Sequence, residues 1–271
     1  MESWYNTGMI LVPLIVFIFG LIIGSFLNVV ILRINTGRSI VTGRSACARC
    51  NAPLAWYELI PVLSYLGLRG KCGKCKQHIS FQYPVVELIT AIIFTVLYTT
   101  VLLPGGFTLV AWLEFIFALK VSSILIIIFV YDIKHKIIPD FFVYWLIIFS
   151  LISIVWKLFT VPGFSTGSAL VAGVVVALPF FLIWLFSKGR AMGFGDVKLM
   201  LGVGWLLGLV GGLSVFVFSF WIGALFALIL LAGSHDYHLR SQIPFAPFII
   251  IATFIVGVYG VTLLSLFHIW L

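Results

Sequence analysis

The sequence predicts an all-α polytopic membrane protein: about eight transmembrane helices, with a small cytoplasmic zinc-binding subdomain between helices 1 and 2. Three observations predict it. Hydrophobic residues fill 63% of the 271 positions and charged residues only 9%, whereas about a quarter of a soluble domain is charged. Apolar windows long enough to cross a ~30 Å hydrocarbon core fall near 9–32, 82–103, 109–131, 138–158, 165–187, 197–210, 212–233 and 244–267. Lysine and arginine gather in alternate connections.

The first window predicts a retained span rather than a cleaved signal peptide. No basic residue precedes it, it is longer than a signal's apolar region, and Arg33 follows it. Its Gly20-Leu21-Ile22-Ile23-Gly24 stretch, followed by Ser25 and Asn28, predicts close helix packing with a buried amide hydrogen bond. Glu87 lies early in the second span and there needs a partner or an aqueous cavity, which makes it a candidate neighbour of a functional site. Glu114 and Lys120 fit the third span poorly. Either that span starts later, or these side chains face the bundle interior. Asp140 follows Pro139 and precedes the fourth span, a good N-cap position. The sixth window is short and interrupted by Gly202, Gly204 and Gly208. The domain reading is a first helix at 1–32, a polar insertion at 33–81 and a helical membrane domain at 82–271.

The basic residues set the orientation. Arg33, Arg38, Arg44, Arg49, Arg69, Lys71, Lys74 and Lys76 lie between spans one and two. Lys134 and Lys136, then Lys188, Arg190 and Lys198, then Arg240, occupy the later connections on the same side. The positive-inside rule places these loops in the cytoplasm and both termini outside. The formal charge of +8 is then explained by a face suited to anionic lipid headgroups. Nucleic acid is not needed as a partner.

All four cysteines sit in the insertion, as Cys47-Ala48-Arg49-Cys50 and Cys72-Gly73-Lys74-Cys75. Two such pairs about twenty residues apart have the spacing of a tetrahedral four-cysteine zinc site. A reducing cytoplasm argues against two disulfides, and a closed four-sulfur shell has no open position for substrate. His78, near the second pair, reads as a surface residue. The run from Leu54 to Pro61, which includes Trp56 and Tyr57, is expected to give the insertion a minimal core or to sit at headgroup level.

Asp132 and Asp196 carry the chemistry. Asp132 closes the third apolar run, and Asp196 opens the sixth within Gly193-Phe194-Gly195-Asp196. A carboxylate at the edge of a hydrocarbon segment is costly and marks a functional site by default. Spans four and five run out and back, so both aspartates reach the same membrane face. Two carboxyls there form a candidate pair sharing a proton and activating water. Gly193 and Gly195 are expected to permit positive φ and a close approach by another chain. The competing reading is a glycine-rich turn with Asp196 capping the next helix. His135, with Lys134 and Lys136, reads as a headgroup contact. His235, Asp236 and His238 lack a clear fourth ligand for a metal.

Taken together, these residues resemble the bacterial type IV prepilin peptidases, membrane aspartic proteases of the GxGD class. The similarity runs from Gly20 through Val30, the paired cysteine motifs with Ile60-Pro61, and Tyr83-Pro84-Val85-Val86-Glu87-Leu88. It continues through Asp132, Ile138-Pro139-Asp140 and the segment from Gly193 to Leu199. The resemblance implies Asp132 and Asp196 as the catalytic pair. It also implies a bacterial inner-membrane enzyme that cuts the short basic leader from prepilins or pseudopilins on the cytoplasmic side. Methylation of the new N-terminal amine, using S-adenosylmethionine, is the further activity implied. Two departures are a missing proline after Cys47 and Ala191 where glycine is frequent; neither touches an acid–base group. No glycine-rich dinucleotide-type motif marks a place for the methyl donor. Rival readings are a presenilin-type intramembrane protease, which the cysteine insertion argues against, a transporter with a carboxylate proton relay, and an assembly scaffold. Carboxylates at mid-membrane favour transport, and carboxylates at the cytoplasmic edge favour proteolysis.

Overall fold

The structure, a computed structural model, describes residues 2–37, 39–40, 42–47, 49–233 and 243–268. Among them there is no strand, only isolated antiparallel bridges. The chain divides into two compact units, 1–127 and 128–271.

In the first unit, α1 (Glu2–Arg33) packs along α3 (Gln82–Leu97), which continues through a π turn at Tyr98–Leu102. The expected small-residue contact is present. A Cβ on Gly20 would lie 2.5 Å from Ala91 Cα, and one on Gly24 would lie 2.6 Å from Glu87 Cα. Any side chain at either glycine would force the helices apart. One turn below, Asn28 is buried and donates from Nδ2 to the Tyr83 carbonyl at 3.1 Å, as its place in the sequence predicts.

Between these helices the insertion forms a 3₁₀ turn at Trp56–Leu59 and a short α2 at Leu63–Gly67. Val62 joins them at φ 60°, a costly region for a β-branched residue. Its N–H is held by the Glu87 carboxylate at 2.7 Å, and Ser25 also bonds that carboxylate. Glu87 thus tethers the insertion to the α1–α3 pair. The aromatic run does not form a core: Trp56, Tyr57 and Leu59 are exposed, as are Leu63, Leu66 and Phe81. Of the two expected roles, seating at headgroup level is the one this outward apolar face suits.

The helix α4 (Leu109–His135) runs from the first unit into the second. Its 27 residues exceed the ~20 that a crossing needs. Glu114 and Lys120 are exposed rather than turned to the interior. A crossing counted back from His135 leaves Glu114 outside and Lys120 near the far end, within snorkelling reach. The second unit continues with α5 (Asp140–Thr160), α6 (Thr166–Ser187), α7 (Phe194–Gly233), α8 (Ala246–Tyr259) and α9 (Leu263–His268).

Among the described residues, six helices are long and apolar enough to span a membrane, and α8 is a shorter apolar one. The 40-residue α7 contains two of the predicted spans. Gly208 breaks it at φ 75°, ψ −174°, and the chain reverses there. The Cβ position of Gly212 lies 3.2 Å from Gly204 Cα, whereas eight residues along a straight helix separate by about 12 Å. The first arm, 194–207, is fixed by bonds to its neighbours. Buried Ser150 donates to the Gly202 carbonyl at 2.8 Å, Trp205 Nε1 to Leu170 at 2.9 Å, and Lys157 Nζ to Leu206 at 3.0 Å. The eight-span reading therefore holds approximately, with spans six and seven forming one helical hairpin.

Replacing Gly24 by Leu should destabilise the α1–α3 pair by about 1–3 kcal/mol and lower the thermal midpoint in detergent. An unchanged midpoint would contradict the close approach.

Candidate active site and metal centre

Asp132 lies three residues before the end of α4, and Asp196 is the third residue of α7. Both are buried, at 4% and 7% exposure, and their charges interact. Asp132 faces the backbone N–H of Ala246 at the start of α8. Asp196 faces the N–H groups of Gly193 and of its own residue. Among the described residues, Oδ2 of Asp132 and Oδ1 of Asp196 are buried with no hydrogen-bond partner. Buried polar atoms are ordinarily satisfied, so these two oxygens need something to bind: a donor such as a water molecule, or, for the carboxyl that carries a proton, a carbonyl oxygen that accepts it.

The turn leading to Asp196 differs from expectation. Neither Gly193 nor Gly195 takes a positive φ. Gly195 serves close approach instead, since a Cβ there would lie 2.9 Å from Ile138 Cβ. Asp196 is not the cap of α7, which begins two residues earlier at Phe194. Asp140 is not a cap either. Pro139 holds the N-cap position of α5 without a side-chain bond, and Asp140 pairs with Lys198. The Lys198 ammonium also stands over the rings of Tyr144 at 5.4 Å and Phe194 at 5.7 Å. The first turn of α7 is thus clamped onto the start of α5 on both sides of Asp196.

The sequence places Lys198 among the basic loop residues and within the segment from Gly193 to Leu199, without pairing it with Asp140, and does not single out Ala246. The Pro244-Phe245-Ala246-Pro247 run, which marks a helix start, was the available signal for the latter. His135 is exposed and stacks near Tyr131, with ring centroids 4.4 Å apart. His235, Asp236 and His238 lie outside the described residues.

The cysteines form a second centre. Each pair sits in a tight turn of the same design. Cys47 N–H donates to Ala52 and Cys72 N–H to Gln77, at 3.0 and 2.9 Å. Asn51 and Lys76 take left-handed φ at matching positions. The bridges Ala46–Pro53 and Lys71–His78 close the two turns, and His78 is exposed. All four thiols are free, and their sulfurs lie within 4.8 Å of one another. Cys47 and Cys75 are 3.9 Å apart, against about 3.8 Å for the edge of a tetrahedron with ~2.3 Å zinc–sulfur bonds. Backbone N–H groups of Cys50 and Arg49 lower the Cys47 thiol to about 7. Cys75 rises to about 11: Gln77 N–H opposes the rise, and burial with the other three cysteines drives it. Four sulfurs this close are a donor set that fits a divalent cation.

Taken together, these features define a polytopic membrane protein with a buried carboxyl pair and a four-cysteine insertion. Residues 18–101 match the Bacterial Peptidase A24 N-terminal domain, and 119–228 match the Type IV leader peptidase family. The cysteines fall in the first match and both aspartates in the second. The chain belongs to this leader peptidase family. A prepilin leader peptidase/N-methyltransferase of Bacillus subtilis is 36% identical over 258 residues, covering 93% of this chain and 96% of the relative. One of Aeromonas salmonicida is 32% identical, covering 91% and 90%; one of Pseudomonas aeruginosa is 29% identical, covering 89% and 88%. No solved structure matches the chain.

The purified protein is expected to carry about one zinc per chain, as a four-sulfur site holds. Cys47→Ser or Cys72→Ser should bring zinc to background in mass spectrometry, and an undiminished content would contradict the assignment.

Proposed function

We propose that this protein is a membrane aspartic endopeptidase that removes the short basic leader of type IV prepilins or pseudopilins. In this reading it acts at the cytoplasmic face of a bacterial inner membrane and then methylates the new N-terminus. Asp132 and Asp196 are the catalytic residues, 82–271 is the protease domain, and 33–81 is a zinc-stabilised subdomain. The observation that carries the reading is the pair of interacting, buried aspartates, each with one unsatisfied oxygen, inside the leader peptidase match.

One carboxylate of the pair accepts a proton from water while the other, protonated, donates to the scissile carbonyl. Water adds to the carbonyl carbon. The tetrahedral species then collapses, the C–N bond breaks, and the pair returns a proton to the leaving amine. No covalent acyl-enzyme forms, and the titration belongs to the pair rather than to either residue. The position of both aspartates at helix ends favours proteolysis over a mid-membrane proton relay. A prepilin helix among the spans leaves its leader free to extend into the site. When bound, S-adenosylmethionine supplies an electrophilic methyl group for the new amine.

Incubating the purified protein with a pilin precursor, and reading the N-terminal mass of the product, tests both activities. Asp132→Asn and Asp196→Asn should each abolish cleavage while the protein still inserts; processing by either variant would remove that residue from the mechanism. Asp140→Asn or Lys198→Met should lower kcat by about tenfold to a hundredfold, the scale of a ~1 Å misplacement, with KM little changed. The thermal midpoint should hardly move for Asp140→Asn, whose side chain is 57% exposed, because pairs with such an exposed partner contribute only about 0–1 kcal/mol. Exchanging the two residues should restore much of the rate. Full activity in the single variants would show that the clamp does not position Asp196.

A further inference from the structure

The 21 residues from Gln82 to Leu102 match the ~20 needed to cross a hydrocarbon core, so the first turn of α3 marks the edge of that core. Two attachments hold the insertion at this level rather than above it. The Val62 N–H donates to the Glu87 carboxylate at 2.7 Å, and Glu87 stands about 7 Å along α3 from Gln82. Helix side chains lean toward the N-terminus, which brings the Glu87 carboxylate, and the Val62 backbone with it, back to the first turn. Further along the insertion, the Tyr65 ring meets that of Phe81, the residue before α3, with centroids 6.2 Å apart. The short α2 therefore lies beside the membrane-entry turn of α3.

At that depth its surface is apolar. Leu63 and Leu66, three positions apart on one face of α2, are 67% and 64% exposed, and Trp56, Leu59 and Phe81 are exposed with them. A contiguous apolar patch of this kind marks a surface that something covers. The residues that follow α2 are basic: Arg69, Lys71, Lys74 and Lys76 are exposed. Glu58 is the only carboxylate between positions 33 and 81, against eight basic residues. Protein-covered surfaces are ordinarily depleted of lysine, whereas an apolar face edged with cations is the pattern of a segment lying in a membrane interface.

We propose that residues 56–66 are embedded in the interfacial layer of one leaflet, beside α3, and that Arg69, Lys71, Lys74 and Lys76 hold the headgroups of anionic phospholipids there. The lipid supplies the apolar cover that the insertion lacks. The bond from Val62 to Glu87 sets how deep the segment sits. This lipid site is independent of the chemistry at Asp132 and Asp196, and its test needs no prepilin.

The full-length protein would be placed in nanodiscs of phosphatidylcholine containing phosphatidylglycerol with a photoreactive diazirine, carried either in the upper acyl chain or in the headgroup. Cross-linked peptides are then mapped by mass spectrometry. The acyl probe should mark residues 56–66, and the headgroup probe should mark 69–76. High salt should weaken the headgroup label and leave the acyl label in place. Leu63→Ser combined with Leu66→Ser should remove most of the acyl label from 56–66 while zinc content stays normal; if that variant loses its zinc, the label map of the unaltered protein decides. Arg69→Gln and Lys71→Gln should each lower the affinity for phosphatidylglycerol about fivefold in competition with unlabelled lipid, the equivalent of ~1 kcal/mol for a cation at the surface. Acyl label confined to the spanning helices, with none in 56–66, would overturn the proposal. So would equal labelling of 69–76 by phosphatidylcholine and phosphatidylglycerol headgroup probes. Cross-linking of Trp56 or Leu63 to a neighbouring protein in native membranes, in place of lipid, would identify a protein-docking face and overturn it as well.

Discussion

Burying a carboxyl group at the edge of a hydrocarbon layer is the constraint that organises this protein. Each such group costs several kcal/mol unless something satisfies it. Here two are buried together, and each keeps an oxygen without a partner. The surrounding construction holds that unfavourable arrangement in place. The first arm of α7 is tied to α5 and α6 by the bonds from Ser150, Lys157 and Trp205. Its opening turn is pressed onto Ile138 through Gly195 and joined to Asp140 through Lys198. Rigid support of this kind is what a preorganised acid–base site requires.

The cysteine insertion follows a different logic. It is short, and Trp56, Tyr57 and Phe81 are exposed, so apolar burial alone cannot hold it. Metal ligation by the four clustered cysteines would replace the missing core. The tether from Glu87 to Val62 then fixes the insertion to the α1–α3 pair, where a charge in an apolar span finds its partner in a strained backbone.

Much of this was legible from residue order. Depth follows from counting apolar positions, so the shared face of Asp132 and Asp196 could be read before any coordinates. The cysteine spacing specified a four-sulfur cluster, and Gly20 with Gly24 specified a close helix contact. Lateral relations were not legible, because a sequence records depth but not which side chain stands beside which. That is why Asp140 read as a cap rather than the partner of Lys198, and why Gly195 read as a source of backbone freedom rather than a seat for Ile138. The exposure of Trp56 and Tyr57 was hidden for a related reason: aromatic content looks the same in a core and on a membrane-facing surface. Gly208 was visible as a break, but whether a break bends or reverses a helix depends on its two dihedral angles.

The adjacency of the two aspartates is tested most directly by covalent capture. Asp132→Cys and Asp196→Cys would be combined in one chain, oxidised mildly in native membranes, and digested for mass spectrometry. A disulfide or one-atom bridge joining positions 132 and 196, absent from each single variant, is the result expected. Failure of the two positions to join, in a preparation whose zinc cysteines remain intact and whose control pair across α1 and α3 does join, would contradict a shared site.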